Sequence, residues 1–215
     1  MIDLVNNLAG RFVAIDGPDG AGKSTQLKLL AEHLRAAGLT VCQVRDPGGT
    51  AIGDRIRAIL LDRAHGEMAV TCELMLYMAS RAQLAAEVIR PALSLGQCVL
   101  SDRFISATIA YQGAGGMDAE SVRQAGRIAV GATWPDLTIV LDLPSDEGLA
   151  RAASARGHDR MEAKGLAFHR RVRELFLRQA RQDPAHFAVV DASGTVEEVH
   201  ERIRQAVEKW APDHA

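Results

Sequence analysis

The sequence predicts an α/β fold with a mainly parallel sheet, and two observations lead to this prediction. First, five short and almost continuous apolar runs alternate along the chain with amphipathic helical stretches. Such runs are typical of strands that are buried on both faces, as in parallel sheets. Second, the first run leads into a glycine-rich segment and then a helix, as in a βαβ unit. The 215 residues suffice for one domain with a substantial core, which we assign to residues 1–215.

Five segments are predicted as strands, and helices fill the gaps between them. The last helix follows Thr195 and Glu198, whose spacing is that of a capping box. Residues 151–165 are rich in Arg, Ala and Gly and lack apolar periodicity. We interpret them as a mobile basic flap, with an ordinary solvated segment as the alternative. The predicted strands are Phe12–Asp16, Leu39–Arg45, Cys98–Asp102, Leu137–Asp142 and Phe187–Asp191.

Residues 17–24 fit the P-loop pattern G-x-x-x-x-G-K-[ST], between an apolar strand and an amphipathic helix. Backbone N–H groups of such a loop, together with the positive end of the helix dipole, bind an anion. Lys23 can reach the outer phosphates and Ser24 can ligate Mg²⁺, so the motif predicts a nucleoside triphosphate site. The residues assigned to this site are Gly17, Pro18, Asp19, Gly20, Ala21, Gly22, Lys23, Ser24 and Thr25.

The amino-acid composition indicates which kinds of binding partner and which cellular compartment to expect. The formal net charge of −2 argues against a general nucleic-acid binder, which would usually be basic. Cys42, Cys72 and Cys98 sit among apolar residues without metal-like spacing, so we interpret them as buried free thiols in a reducing compartment. The N-terminus lacks the features of a signal peptide, and no apolar run reaches membrane-spanning length. We therefore expect a cytoplasmic protein with neither a nucleic-acid nor a membrane partner.

Charged residues mark the ends of two predicted strands. Asp102 and Arg103 follow the third strand, at the sheet edge where open α/β proteins bind ligands. Asp102 could hold a Mg²⁺ water and Arg103 a phosphate, whereas a surface ion pair is the alternative. Arg45 and Asp46 precede a Pro-Gly-Gly turn that brings them to the same edge, although the function of that turn is open.

Polar and aromatic side chains also recur on two predicted helices. Tyr77 and Arg81 are four residues apart and share a helix face, so they could stack on a base and donate to its carbonyl. A core tyrosine and a solvated arginine are the alternative. Residues 106–113 carry hydroxyls and an amide that could bind base edges or be ordinary helix residues. No guanine-binding N-K-x-D motif accompanies the P-loop.

Together these motifs resemble the thymidylate kinase family, the P-loop nucleoside monophosphate kinases that phosphorylate dTMP. The resemblance is collinear from about residue 11 to residue 193, and the Pro-Gly-Gly-Thr and Ala-Tyr-Gln-Gly runs are its most specific parts. It implies a three-layer α/β/α P-loop nucleoside monophosphate kinase fold around a five-stranded parallel sheet. It further implies ATP as phosphoryl donor, Mg²⁺ as cofactor and a homodimer. The matching segments are 16–25, 45–50, 102–104, 110–113, 135–138 and 159–162.

The resemblance also implies roles for single residues. Lys23 is similar to the catalytic P-loop lysine, and Asp19 to the P-loop acid that engages the sugar 3′-hydroxyl or the acceptor side. Ser24 and Asp102 correspond to the metal positions. Tyr111 corresponds to a tyrosine that crowds the 2′ position and so disfavours ribonucleotides. The remaining substrate positions are Arg45 and Arg103 near the monophosphate, Tyr77, Arg81, Thr108 and Gln112 near thymine, and Asp46.

The flap resembles the basic lid of bacterial members. Some members carry a catalytic arginine within the P-loop, but Gly20 occupies that position here, so the resemblance implies that Arg156 and Arg160 supply the charge, with Arg151 a weaker candidate. Asp46, Tyr77 and Phe104 are mild departures, because the family often has Glu, Phe and Tyr there. Kinases of dUMP, UMP or CMP are the close alternative, and a nucleotide-binding regulatory module is the alternative from another class.

Overall fold

The computed structural model describes residues 7–155, 160–161 and 164–210 and contains a five-stranded parallel sheet in the order β2-β3-β1-β4-β5. The predicted parallel α/β fold is thereby confirmed. Strand β1 is central, so the chain crosses to one side of it for β2 and β3 and to the other for β4 and β5. The strands are β1 (Phe12–Asp16), β2 (Val41–Arg45), β3 (Cys98–Asp102), β4 (Leu137–Asp142) and β5 (Phe187–Asp191).

Nine α-helices of the described chain surround the sheet, and a π-helical turn (Ala85–Ile89) joins two of them. A short 3₁₀ turn (Arg63–His65) follows the second helix. The helices are α1 (Lys23–Ala36), α2 (Ala51–Leu61), α3 (Val70–Leu84), α4 (Arg90–Ser94), α5 (Ile105–Ala114), α6 (Ala119–Val130), α7 (Ser145–Ala155), α8 (Leu166–Gln182) and α9 (Val196–Lys209).

The core has three layers because successive residues of the central strand point to opposite faces of the sheet. Val13 and Ile15 pack in a cluster with the apolar faces of α1 and α9. Phe12 and Ala14 pack in a second cluster with residues of α3, α5 and α6. A third cluster joins α5 to α8 through Tyr111 and other apolar residues, including Val172 and Phe176 of α8. Each large apolar side chain buried in this way contributes about 1.5–3 kcal/mol.

Two predicted boundaries were wrong. Strand β2 begins at Val41 rather than Leu39, because the Leu39 N–H donates to the Leu34 carbonyl at the end of α1. The segment 151–165 is not a flap from its first residue, since α7 continues to Ala155. An i,i+4 ion pair between Glu147 and Arg151 supports that last helical turn.

The cysteine prediction was also wrong in part. Cys98 is buried, whereas Cys42 is half-buried and Cys72 is exposed on α3. Apolar neighbours in sequence do not decide burial on an amphipathic helix, because consecutive residues point in different directions. Within the described ranges, no helix is long and apolar enough to cross a membrane. The capping box of Thr195 and Glu198 at α9 is confirmed.

Candidate active site

A cavity of about 940 Å³ opens at the carboxyl ends of β1, β2 and β3. Its walls come from the P-loop, the turn after β2, and helices α2, α3 and α5. Parallel strands place their carboxyl ends at one edge of a sheet, so segments far apart in sequence converge here. The predicted site residues that line it are Asp19, Lys23, Ser24, Arg45, Asp46, Tyr77, Arg81, Asp102, Arg103, Thr108, Tyr111 and Gln112.

The P-loop presents an uncapped helix start to this cavity. Gly22 precedes α1 in a left-handed conformation (φ 83°) and offers no side chain to the first turn, so backbone donors there have no side-chain cap. Lys23 is buried and its Nζ donates to the Pro18 carbonyl at 2.6 Å. Burial lowers the pKa of Lys23 to about 8, and the nearby Arg103 adds to this effect.

The P-loop also packs closely against α7. A Cβ atom at Gly20, which has a φ of +75°, would overlap the carbonyl oxygen of Gly148. A Cβ atom at Gly148 would in turn overlap the carbonyl oxygen of Asp19. The loop and the helix are therefore in direct backbone contact, and neither position has room for a side chain at this separation.

Ser24 and Asp102 form a pair of oxygen ligands beside the P-loop lysine. The Ser24 hydroxyl donates to Asp102 Oδ2 at 2.5 Å. The described residues contain no cluster of three His, Cys, Asp or Glu side chains suited to a metal. This donor set fits Mg²⁺, which usually takes one or two protein oxygens and completes its shell with phosphates and water. Asp102 therefore pairs with Ser24 and not with Arg103 in a surface ion pair.

Arg103 and Asp19 form the central charged contact of the cavity. The Arg103 guanidinium donates to Asp19 Oδ1 at 2.5 Å and to the Gly17 carbonyl at 3.0 Å. Tyr111 donates its hydroxyl to Asp19 Oδ2 at 2.6 Å, and its ring lies 4.9 Å below the guanidinium carbon. Burial alone would raise the pKa of Asp19, but Arg103 and Lys23 outweigh it and lower that pKa. Asp19 is therefore an anion held in one orientation.

Arg81 is buried, so the alternative prediction of a solvated arginine was wrong. Its Nε and Nη2 donate to Asp46 Oδ2 at 2.7 and 2.5 Å, and both side chains are about 1% exposed. Nη2 also donates to Thr108 Oγ1 at 3.0 Å. Burial raises the pKa of Asp46, and Arg81 opposes that shift. The pair joins the end of β2 to α3 and α5 and positions the guanidinium at the cavity wall.

Sequence reasoning missed Arg57, which lines the cavity from α2. Its Nη1 donates to the Pro47 carbonyl at 2.9 Å, and burial together with Arg45 lowers its pKa. Arg45 itself contacts Asp54 at 3.2 Å. One sequence signal could have pointed to Arg57. Asp54 and Arg57 follow the glycine turn and are three residues apart, so they share one face of the helix.

Sequence reasoning also missed Glu73, which contacts two predicted site residues, Gln112 and Arg160. It accepts a hydrogen bond from Gln112 Nε2 at 2.6 Å and pairs with Arg160. Arg160 is buried, donates to the Leu60 carbonyl at 2.9 Å and is not among the residues lining the cavity. Arg156, the other predicted lid arginine, lies outside the described residues. Burial and, secondarily, the Glu73 charge raise the pKa of Tyr77.

Comparisons with known proteins agree with this geometry. The thymidylate kinase family profile matches residues 15–203. A thymidylate kinase of Syntrophotalea carbinolica is 47% identical over 199 residues, covering 89% of this chain and 92% of the relative. One of Pseudomonas fluorescens is 48% identical over 198 residues, covering 91% and 94%. The crystal structure of thymidylate kinase from Ehrlichia chaffeensis superimposes with a TM-score of 0.74 at 28% identity, covering 92% and 98% of the two chains. On these grounds the chain belongs to the thymidylate kinase family.

Proposed function

We propose that the cavity transfers the γ-phosphoryl group of ATP to dTMP, giving ADP and dTDP. One observation carries this proposal: the P-loop lysine and the Ser24–Asp102 oxygen pair open into the same cavity as Arg81, Thr108 and Gln112. A donor site and a nucleotide-sized acceptor site thus share one space. Membership of the family supports the identity of the acceptor.

At the donor end, the P-loop amides and Lys23 bind the ATP phosphates. Ser24 and Asp102 would hold Mg²⁺, which would supply positive charge to neutralise the ATP phosphates. Phosphoryl transfer needs positioning and charge neutralisation more than covalent chemistry, and the cavity supplies both. Arg103 orients Asp19 toward the acceptor sugar.

At the acceptor end, Arg45 and Arg103 form the monophosphate side, and we add Arg57 because it lines the same cavity. Asp46 takes part in substrate binding through its pair with Arg81. Tyr77 stacks on the base, while Arg81, Thr108 and Gln112 contact its polar edge. Tyr111 crowds the 2′ position and disfavours ribonucleotides. A thymine methyl group in an apolar pocket is worth roughly 1–3 kcal/mol, so dUMP is a weaker substrate than dTMP rather than an excluded one.

We further propose one domain whose lid is the basic segment after α7, at about residues 156–165, with Arg156 and Arg160 as the residues that supply charge to the reaction. Arg160 would have to leave Glu73 to do so. A homodimer in the cytoplasm completes the proposal, and exposed Ile52, Ile59 and Met75 on α2 and α3 support association through apolar surface.

A coupled ADP-release assay with ATP and Mg²⁺ tests the activity against dTMP, dUMP, UMP, CMP and dGMP, beside a reaction without acceptor. We expect turnover concentrated on dTMP, with weaker turnover of dUMP. Turnover of a ribonucleotide would contradict the role of Tyr111. Equal ADP release with and without acceptor would indicate an ATPase instead.

The Lys23→Ala variant separates an enzyme from a regulatory nucleotide binder. We expect turnover to fall by at least about 100-fold, because the lysine neutralises charge on the transferring phosphoryl group. Glu32→Ala, at an exposed position of α1 outside the assigned site, controls for general disturbance of that helix. A wild-type protein that binds ATP but never transfers phosphate would favour the regulatory module.

A further inference from the structure

Glu73 is a buried carboxylate without an assigned role that lies behind Gln112, one of the residues lining the cavity. Its side chain is about 2% exposed and lies on α3, one turn before Tyr77. Oε1 accepts from Gln112 Nε2 at 2.6 Å and lies 3.9 Å from Lys164 Nζ, while Oε2 pairs with Arg160. Each carboxylate oxygen therefore has a defined partner among the described residues.

This arrangement fixes the orientation of the Gln112 amide. An ionised carboxylate accepts hydrogen bonds and donates none, so Gln112 must turn its NH₂ group toward Glu73. Its carbonyl Oε1 is then the amide atom left for a ligand. Gln112 lines the cavity, and this Oε1 is buried without a hydrogen-bond partner in the part of the chain that the structure describes.

We propose that Glu73 is a positioning residue that selects the nucleobase by holding the Gln112 amide with its carbonyl toward the ligand. An acceptor at that point matches the N3–H donor of thymine or uracil. It does not match cytosine, whose N3 is itself an acceptor, so two acceptors would face each other. The proposal rests on the proposed function of the cavity.

Two positively charged partners, Arg160 and Lys164, stabilise the buried Glu73 carboxylate. An unpaired buried carboxylate is costly, whereas Arg160 supplies a charge and also ties Glu73 to the Leu60 carbonyl through its own Nε. Lys164 adds a second positive charge near Oε1. The carboxylate is thereby held in place against the Gln112 amide while the base binds, before Arg160 leaves Glu73 in the proposed reaction.

The Glu73→Gln variant tests the proposal, because a neutral amide of the same shape can accept or donate and so lets Gln112 reverse. We expect the ratio of kcat/KM for dTMP over dCMP to fall roughly tenfold, the effect of one buried polar group left without its hydrogen bond. Most of the change should lie in KM, since a base contact acts on substrate and transition state alike. The ratio of dTMP over dUMP should not change, because both bases carry N3–H.

A double-mutant cycle with Gln112→Ala shows whether Glu73 acts through Gln112. In the Gln112→Ala background, Glu73→Gln should cause no further change in the dTMP over dCMP ratio. Glu73→Asp keeps the charge, is less disruptive to folding, and should lower the ratio less than Glu73→Gln. An unchanged ratio in the Glu73 variants, even with a lowered melting temperature, would mean that Glu73 is merely structural and would overturn the proposal. If wild-type protein does not phosphorylate dTMP at all, the proposed function fails first.

Discussion

Lys23 is subject to two opposing requirements. Phosphate binding needs its positive charge, yet burial and Arg103 lower its pKa to about 8. Before the phosphates arrive, its Nζ is held by the Pro18 carbonyl, which can stabilise an ammonium but does not offset burial. The lysine is thus partly neutral near pH 8 in the free protein.

We therefore expect ATP binding to take up protons. With a pKa of about 8, Lys23 in the ATP-free protein is charged below about pH 7 and adds no pH dependence to ATP affinity there. Above pH 8 the affinity should fall by up to about tenfold per pH unit, because binding must then recharge the amine. Calorimetry at pH 8 in buffers of different ionisation enthalpy should show uptake of about half a proton.

Lys23→Ala is the control for this measurement, since it removes the titrating amine while the rest of the loop remains. An uptake that persists in this variant, or a wild-type binding enthalpy that is the same in every buffer, would contradict the assignment to Lys23.

At the residue scale, the sequence predicted the positions that belong to local motifs. It identified the P-loop, Asp102 with Arg103, and the polar positions of α5, because each follows a predicted strand or a recognisable turn. Arg57 had only the weak signal of its helical spacing after the glycine turn. Glu73 could not be found from the sequence, because its contact with Gln112 joins residues that lie 39 positions apart. Long-range partners depend on packing, which no local pattern encodes.

The backbone contact between the P-loop and α7 is a property of elements rather than of side chains. Gly148 lies inside α7, where alanine would ordinarily stabilise a helix by about 1 kcal/mol. Its neighbour is the Asp19 carbonyl of the P-loop, which a methyl group would overlap. Local propensity and tertiary packing therefore favour opposite residues at this position.

Gly148→Ala should consequently destabilise the protein by about 1–3 kcal/mol and weaken ATP binding, since α7 must withdraw or the P-loop must distort. Urea denaturation and ATP titration measure the two effects. Gly66→Ala is the matched control, because Gly66 is exposed, has an ordinary φ of −59° and has only one neighbouring atom near an added Cβ. Greater stability of Gly148→Ala would show that the contact is looser than described.

Four strands have the predicted bounds because buried parallel strands carry an unbroken apolar signal. The errors lie where one element passes into the next. Leu39 continues the apolar run of β2 but caps α1, and residues 151–155 lack an apolar stripe yet extend α7. Periodicity predicts which face is buried, and it is weaker at predicting where hydrogen bonding begins and ends.

On the scale of the whole molecule, the Asp46–Arg81 pair joins the acceptor side of the site to the core. It connects the end of β2 with α3, and through Thr108 with α5. Both partners are almost fully buried, so removing either one leaves the other charge without compensation. The same pair thus serves the site and the stability of the fold.

We expect Arg81→Met to lower the free energy of unfolding by about 3–5 kcal/mol, which is the usual cost of breaking a buried ion pair from one side. Urea denaturation of the full chain measures it. Glu32→Gln breaks the exposed Lys28–Glu32 pair at 4.0 Å and should change stability by less than about 0.5 kcal/mol. A small loss in Arg81→Met would mean that the interior compensates Asp46 in another way.

The glycine contact of the P-loop also bears on how this catalyst can evolve. Moving the arginine that we propose for the lid into the P-loop would require a side chain at position 20, where the backbone is left-handed and the Gly148 carbonyl occupies the space of a Cβ. No single substitution reaches that alternative without a shift of α7. The two placements of the arginine are therefore separated by a change of backbone, so a mutational path between them has to cross a less stable intermediate sequence.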